Sequence, residues 1–95
     1  MIDEYETNKR IRELRDHLKL GRNDFAEKTG IPKKTIENIE QEKQKAYAWH
    51  LEVIAKTWKQ YAYWLLTGLT MPEAGQISPE LEEMREKQNL KTGTE

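Results

Sequence analysis

Residues 22–41 place the tightest limit on what this chain can fold into. Apolar or small side chains at Phe25, Ala26, Ile31, Ile36 and Ile39 keep helical spacing on either side of Gly30. The pattern predicts two short helices joined by a tight turn. A glycine just past the last periodic residue adopts the left-handed conformation without a Cβ clash, so Gly30 ends the first helix. Pro32 suits the first position of the second, expected over 32–41. Ala26 is small enough to let the helices cross closely, and Ile31, Ile36 and Ile39 supply the inner face. The outer face is left polar and long, with Lys33, Lys34, Glu37 and Asn38.

The rest of the chain is helical in period, and no stretch alternates over the length of a strand. Ile11, Leu14 and Leu18 mark a helix over about 8–19, which Thr7 or Asn8 can cap. Leu51, Ile54, Ala55 and Trp58 mark another over about 47–58, and a short one follows over about 61–66. Beyond Gly68 the composition turns polar and is punctuated by Pro72, Gly75 and Pro79. Ser78-Pro79-Glu80 reads as a helix start for a last helix over 79–88. Only Leu81, Met84 and Leu90 give it an apolar side, so weak docking is expected.

The formal charge of −1 hides an uneven distribution. Residues 9–68 hold 13 Lys/Arg against 8 Asp/Glu, whereas residues 1–8 hold three acids and residues 69–95 hold six acids against three bases. A basic middle between acidic ends suits a phosphate-facing surface. With no cysteine, thiolate zinc sites and Cys nucleophiles are excluded, and a reducing cytoplasm is the expected setting. No apolar run approaches a membrane span. The division expected is an acidic tail over 1–7, a folded domain over 8–68 and an acidic extension over 69–95.

With the residues of 22–41 in hand, the chain resembles the Cro/CI-type helix-turn-helix family, also called lambda-repressor-like or Xre-type. Ile11-Arg12-Glu13-Leu14-Arg15, Ile39-Glu40, Ile54-Ala55-Lys56 and Trp64-Leu65-Leu66-Thr67-Gly68 extend the likeness over about 8–68. The resemblance implies an all-α, five-helix DNA-binding domain, here with an extra weak C-terminal helix. It implies that helix 32–41 lies in the major groove, with Lys33, Lys34, Glu37 and Asn38 over base edges. Arg22, Asn23, Thr35, Gln41, Lys43 and Lys45 would then face phosphates, which set affinity rather than sequence. Arg22 stands at a helix N-terminus where the family usually carries Ser-Gln.

Four residues have structural roles: Ala26 where the helices cross, Gly30 in the turn, and Arg15 and Glu40, which the resemblance implies form an ion pair bracing the recognition helix. Six of the eight aromatics fall between residues 47 and 64. Trp58 and Trp64 occupy expected core positions, while Trp49, Tyr61 and Tyr63 are candidates for a dimer interface or for additional core. Lys59 and Glu42 stand where the family commonly has glycine. Helices four and five are therefore expected to run on, or Lys59 to be strained.

His17 and His50 have no ligand-spaced partners, and there is no phosphate loop or nucleophile elbow. The reading is not an enzyme, with no metal and no cofactor. The expected function is a dimeric, sequence-specific regulator of transcription, a repressor of prophage type, bound to double-stranded DNA. The rival is an antitoxin-like or other interaction module whose segment 69–95 binds a protein partner.

Overall fold

The first helix, α1 (Glu6–His17), begins two residues before its expected start at 8, so the candidate caps Thr7 and Asn8 lie inside it. The Asp3 carboxylate accepts the Tyr5 amide at 2.9 Å and turns the chain into the helix, so Tyr5 takes the cap position. Asn8 is consequently inside the helix and buried. The computed structural model describes residues 2–92, with side chains through residue 89. The Leu90 side chain, expected on the apolar side of the last helix, and residues 93–95 of the extension lie outside the described residues, as does Met1.

α1 ends where Lys19 turns left-handed, at φ 57°. The Leu20 amide reaches back to Arg15 O at 3.2 Å and the Lys19 amide to Asp16 O at 3.0 Å, which closes the last turn as a Schellman motif. The chain then forms α2 (Arg22–Thr29) and α3 (Lys33–Glu40), separated by Gly30 at φ 81°. Pro32 caps α3 from outside rather than occupying its first position, its ψ of 141° being extended. α4 (Ala48–Thr57) follows the loop. Trp58 breaks it with φ −127° and ψ 79°, and a single 3₁₀ turn, Lys59–Tyr61, leads into α5 (Ala62–Thr67). The two helices therefore do not run on. Among described residues only Lys19 and Glu42 are left-handed without being glycine, so Lys59 is not strained in that sense.

The all-α architecture is as expected, with one apolar core among the described residues. Ile11 and Leu14 of α1, Phe25 of α2, Ile31, Ile36 and Ile39 of the α3 region, Ile54 of α4, and Tyr61, Trp64 and Leu65 form it. Trp58 stacks on Phe25 with ring centres 5.2 Å apart. Burying ten such side chains at about 1.5–3 kcal/mol each is the main force that holds the five helices together. Trp49, by contrast, is 46% exposed at the start of α4, with its ring centre 4.2 Å from that of His50.

Past Gly68 the chain forms a short clasp, with Met71 and Gln76 paired antiparallel around a 3₁₀ turn, Pro72–Ala74. Gln76 ties this clasp to the domain twice, accepting the Tyr63 amide at 2.9 Å and donating to Lys59 O at 3.0 Å. The last helix, α6 (Pro79–Thr92), is longer than the expected 79–88. Ser78 Oγ accepts the Leu81 amide and caps it. Its first residue, Pro79, is fully buried and Ile77 before it packs on the core, and polar contacts complete the attachment. His17 at the end of α1 lies between Glu82, at 2.6 Å from Nε2, and Glu83, at 2.8 Å from Nδ1. The Tyr61 hydroxyl donates to the same Glu82 oxygen.

Candidate nucleic-acid interface

The turn between α2 and α3 is fixed by its own side chains. Thr29 Oγ1 donates back to Phe25 O at 2.7 Å and accepts the Ile31 amide at 3.2 Å. Ile36 and Ile39 anchor α3 to the core, so its opposite side has to face out. Lys33 and Lys34 are exposed there, and Thr35, Glu37 and Asn38 are half-buried. Glu37 Oε2 lies 3.8 Å from Lys34 Nζ, a pair one helical turn apart that partly neutralises the lysine.

Beyond α3 the chain closes in a second Schellman motif. Glu42 takes the left-handed position at φ 59°, the Lys43 amide returns to Asn38 O at 2.9 Å, and the Glu42 amide to Ile39 O at 3.1 Å. Glycine is usual at such a position because a Cβ there costs on the order of 1 kcal/mol. The turn lifts Gln41, Lys43 and Lys45 to the surface. Lys45 Nζ is 3.5 Å from Glu4, so the acidic N-terminal segment folds back on this basic loop.

At the N-terminus of α2, Gly21 supplies no capping side chain, and the amides of the first turn open beside exposed Asn23. Gly21, Arg22, Asn23, Lys33 and Glu37 border one shallow hollow between the starts of α2 and α3. Free amides, a helix dipole and a lysine in one concavity favour an anion, and the Asp24 and Glu37 carboxylates on the same rim oppose it. Arg22 itself is engaged elsewhere. Its Nη2 and Nε lie 3.1 and 3.2 Å from Glu40 Oε1.

Glu40 is the electrostatic centre of the domain. Its side chain is 0% exposed. Arg15 grips it with a fork, Nε to Oε2 at 2.6 Å and Nη2 to Oε1 at 2.9 Å, and also donates to Leu20 O at 2.9 Å. Burial would raise the pKa of such a carboxyl, but the guanidiniums of Arg15 and Arg22 outweigh it and hold it below the usual carboxylate range. The pair joins α1 to the end of α3 and so sets the tilt of the outward face. Ala26 is partly buried against the core where α2 and α3 cross.

The buried helix pair, its left-handed glycine and its outward basic helix have a counterpart among known families, since residues 8–69 match the family described as Helix-turn-helix domain. The chain belongs to that family. A helix-turn-helix domain is a DNA-binding module, in which α2 and α3 are the paired helices. A search of curated proteins found no match to this chain. No helix among the described residues is long and apolar enough to cross a membrane.

Of the aromatic candidates for an interface between copies, Trp49 is exposed and Tyr63 half-buried. Tyr61 is 2% exposed and belongs to the core, which corrects its place among them. Burial and the Glu82 carboxylate push its hydroxyl well above the ordinary tyrosine range. Sequence reasoning missed Asn8 and Gln44. Asn8 Nδ2 donates to Ile39 O at 2.9 Å and Gln44 O at 2.8 Å, cross-linking α1, α3 and the basic loop. The one available signal was a polar residue at the position three before Ile11 on the apolar stripe of α1.

Proposed function

We propose that this helix-turn-helix domain is a sequence-specific transcriptional regulator that acts as a dimeric repressor on double-stranded DNA. The observation that carries the reading is the outward face of α3. A helix fixed from behind by Ile36, Ile39 and Glu40 presents Lys33, Lys34 and Asn38 forward, with Lys43 and Lys45 on the adjoining loop. Lysine donors suit guanine O6 and N7, asparagine suits adenine N6 and N7, and Glu37 can accept from cytosine N4. Asn23, Thr35, Gln41, Lys43 and Lys45 are read as phosphate contacts. Arg22 joins them by releasing Glu40, which keeps Arg15. Two copies are needed because one such helix reads too few base pairs to find a site in a genome.

Selection of bound duplexes from a random pool near physiological salt tests this reading. The expected product is an inverted repeat with half-sites about one helical turn apart, lost in a Lys33→Ala/Lys34→Ala/Asn38→Ala variant. Lys34→Ala should relax one base pair, and Lys43→Ala should weaken all sequences alike. With about six phosphates neutralised, log affinity should fall against log salt with a slope near −5. Failure to enrich any sequence with the fold intact would move the function to partner binding through 69–95.

A further inference from the structure

Asn38 does not stand free on the outer face of α3. Its Nδ2 donates to Gln44 Oε1 at 3.5 Å. The bond is long, but both partners are held from behind. The Lys43 amide bonds the Asn38 backbone carbonyl at 2.9 Å, and buried Asn8 bonds the Gln44 backbone carbonyl at 2.8 Å, which fixes the main chain from which both side chains start. Both residues are half-buried, which narrows the rotamers open to their amides. The left-handed Glu42 makes this juxtaposition possible, because it folds the loop back along the last turn of α3.

We propose that Gln44 is a specificity-determining positioning residue that sets which way the Asn38 amide faces the bases, and so selects adenine at the base pair Asn38 meets. This rests on the reading of α3 as the base-contacting helix. The chemistry follows from the hydrogen inventory of a primary amide. Its nitrogen carries two hydrogens and its oxygen only accepts. With one hydrogen given to Gln44, the amide presents outward one acceptor, Oδ1, beside one remaining N–H. Adenine offers the complement in the major groove, an N6 donor beside an N7 acceptor. Guanine offers two acceptors, O6 and N7, and would need the amide turned so that both hydrogens point out. Gln44 Oε1 opposes that turn by holding one of them. Gln44 thus acts on sequence without touching a base.

The test is random-pool selection with the full chain and three variants, run beside thermal melts. Asn38→Ala identifies the base pair concerned. Gln44→Met keeps the length of the side chain but removes the acceptor, whereas Gln44→Glu keeps an acceptor at the same reach. The wild type should favour adenine there by about tenfold or more. Gln44→Met should flatten that single position to under about threefold and leave the other positions and the melt unchanged. Gln44→Glu should retain the adenine preference while binding all DNA more weakly through its added charge. The proposal is overturned if Gln44→Met keeps the preference, if Gln44→Glu loses it, or if the position favours guanine. A wild type that enriches a motif untouched by Asn38→Ala overturns it as well. A wild type that enriches nothing refutes the base-reading function itself, a different result from any of these.

Discussion

The helix-turn-helix core and the extension beyond Gly68 are attached to α1 by different forces. The core meets α1 through Ile11 and Leu14, which are buried among apolar side chains and carry nothing to titrate. The extension, seated on the domain by the buried Pro79, meets α1 itself through His17 between Glu82 and Glu83, with the Tyr61 hydroxyl donating to the same Glu82 oxygen. Apolar burial is insensitive to pH and salt over the working range, whereas a histidine between two carboxylates is sensitive to both. Part of one small molecule is therefore conditional and part of it is not. Glu40, gripped by Arg15, is the exception in the core.

The largest effect should come from the exception. Glu40→Ala strips the nearly buried Arg15 guanidinium of its bidentate partner, leaving it Leu20 O and the exposed Asp16 carboxylate at 3.6 Å, and should cost about 3–5 kcal/mol in urea unfolding. If it costs under about 1 kcal/mol, the bridge contributes no more than a surface pair and the core is held by apolar burial alone.

The next effect should be confined to the other region. Both His17 nitrogens face carboxylates, an arrangement that only imidazolium can satisfy as donor to each. Burial opposes the charge, but Glu82 and Glu83 outweigh it and raise the histidine above its ordinary value. A raised value means that the stabilisation is complete below about pH 6.5 and is lost as pH rises through the folded-state value. His17→Ala should thus remove about 2 kcal/mol of local stability from α6 at pH 6 and little at pH 9, read by amide exchange. Equal exchange of α6 in both proteins at pH 6 would show that Pro79, the Tyr61 hydroxyl and the clasp at Gln76 hold it without the histidine.

His50 sharpens the contrast by titrating in the opposite sense. It is buried in α4, and its Nδ1 accepts the Tyr47 amide at 2.9 Å. Burial lowers its value, so its contribution is present above about pH 6.5 and disappears as pH falls through the folded-state value. Mild acid should loosen the start of α4 while it tightens α6. Resolved histidine titrations by NMR would reveal the opposite displacements, and a shared direction would contradict the geometry.

The smallest effect concerns the left-handed ends. Glu42→Gly should raise stability by about 0.5–1 kcal/mol through relief of its φ of 59°, and Lys19→Gly by a similar amount. A fall in melting temperature for both would show that their side chains contribute more than the backbone relief returns.

The fold was readable from sequence where side chains act through apolar periodicity. Ile11, Leu14, Phe25, Ile36, Ile39 and Ile54 announce the inner faces of their helices, and Gly30 announces the turn. What was not readable depends on polar side chains reaching across the sequence. Asn8 looked like a cap because short polar residues before an apolar run usually are. Only the fold, bringing Ile39 O and Gln44 O to it, makes it an internal tie. α6 looked poorly anchored for a related reason, since counting apolar positions misses Glu82 and Glu83 as partners for a histidine 65 residues away. Tyr61 was open between an interface and the core, and the fold decides for the core because Glu82 is there to accept its hydroxyl proton. On the reading face the residue types were evident, but their entanglements were not. Arg22 with Glu40, and Asn38 with Gln44, are contacts between groups that a helical wheel draws apart.

The distribution of the tryptophans makes the molecule its own optical gauge. Trp58, stacked on Phe25, and buried Trp64 emit from the interior and should change colour only when the core opens. Trp49, wet and close to the ring of His50, sits in the first turn after the basic loop. Occupation of that loop should alter its brightness while leaving the inner two undisturbed, and Trp49→Phe would silence that signal alone. Unfolding and ligand arrival can therefore be followed in one cuvette without a dye.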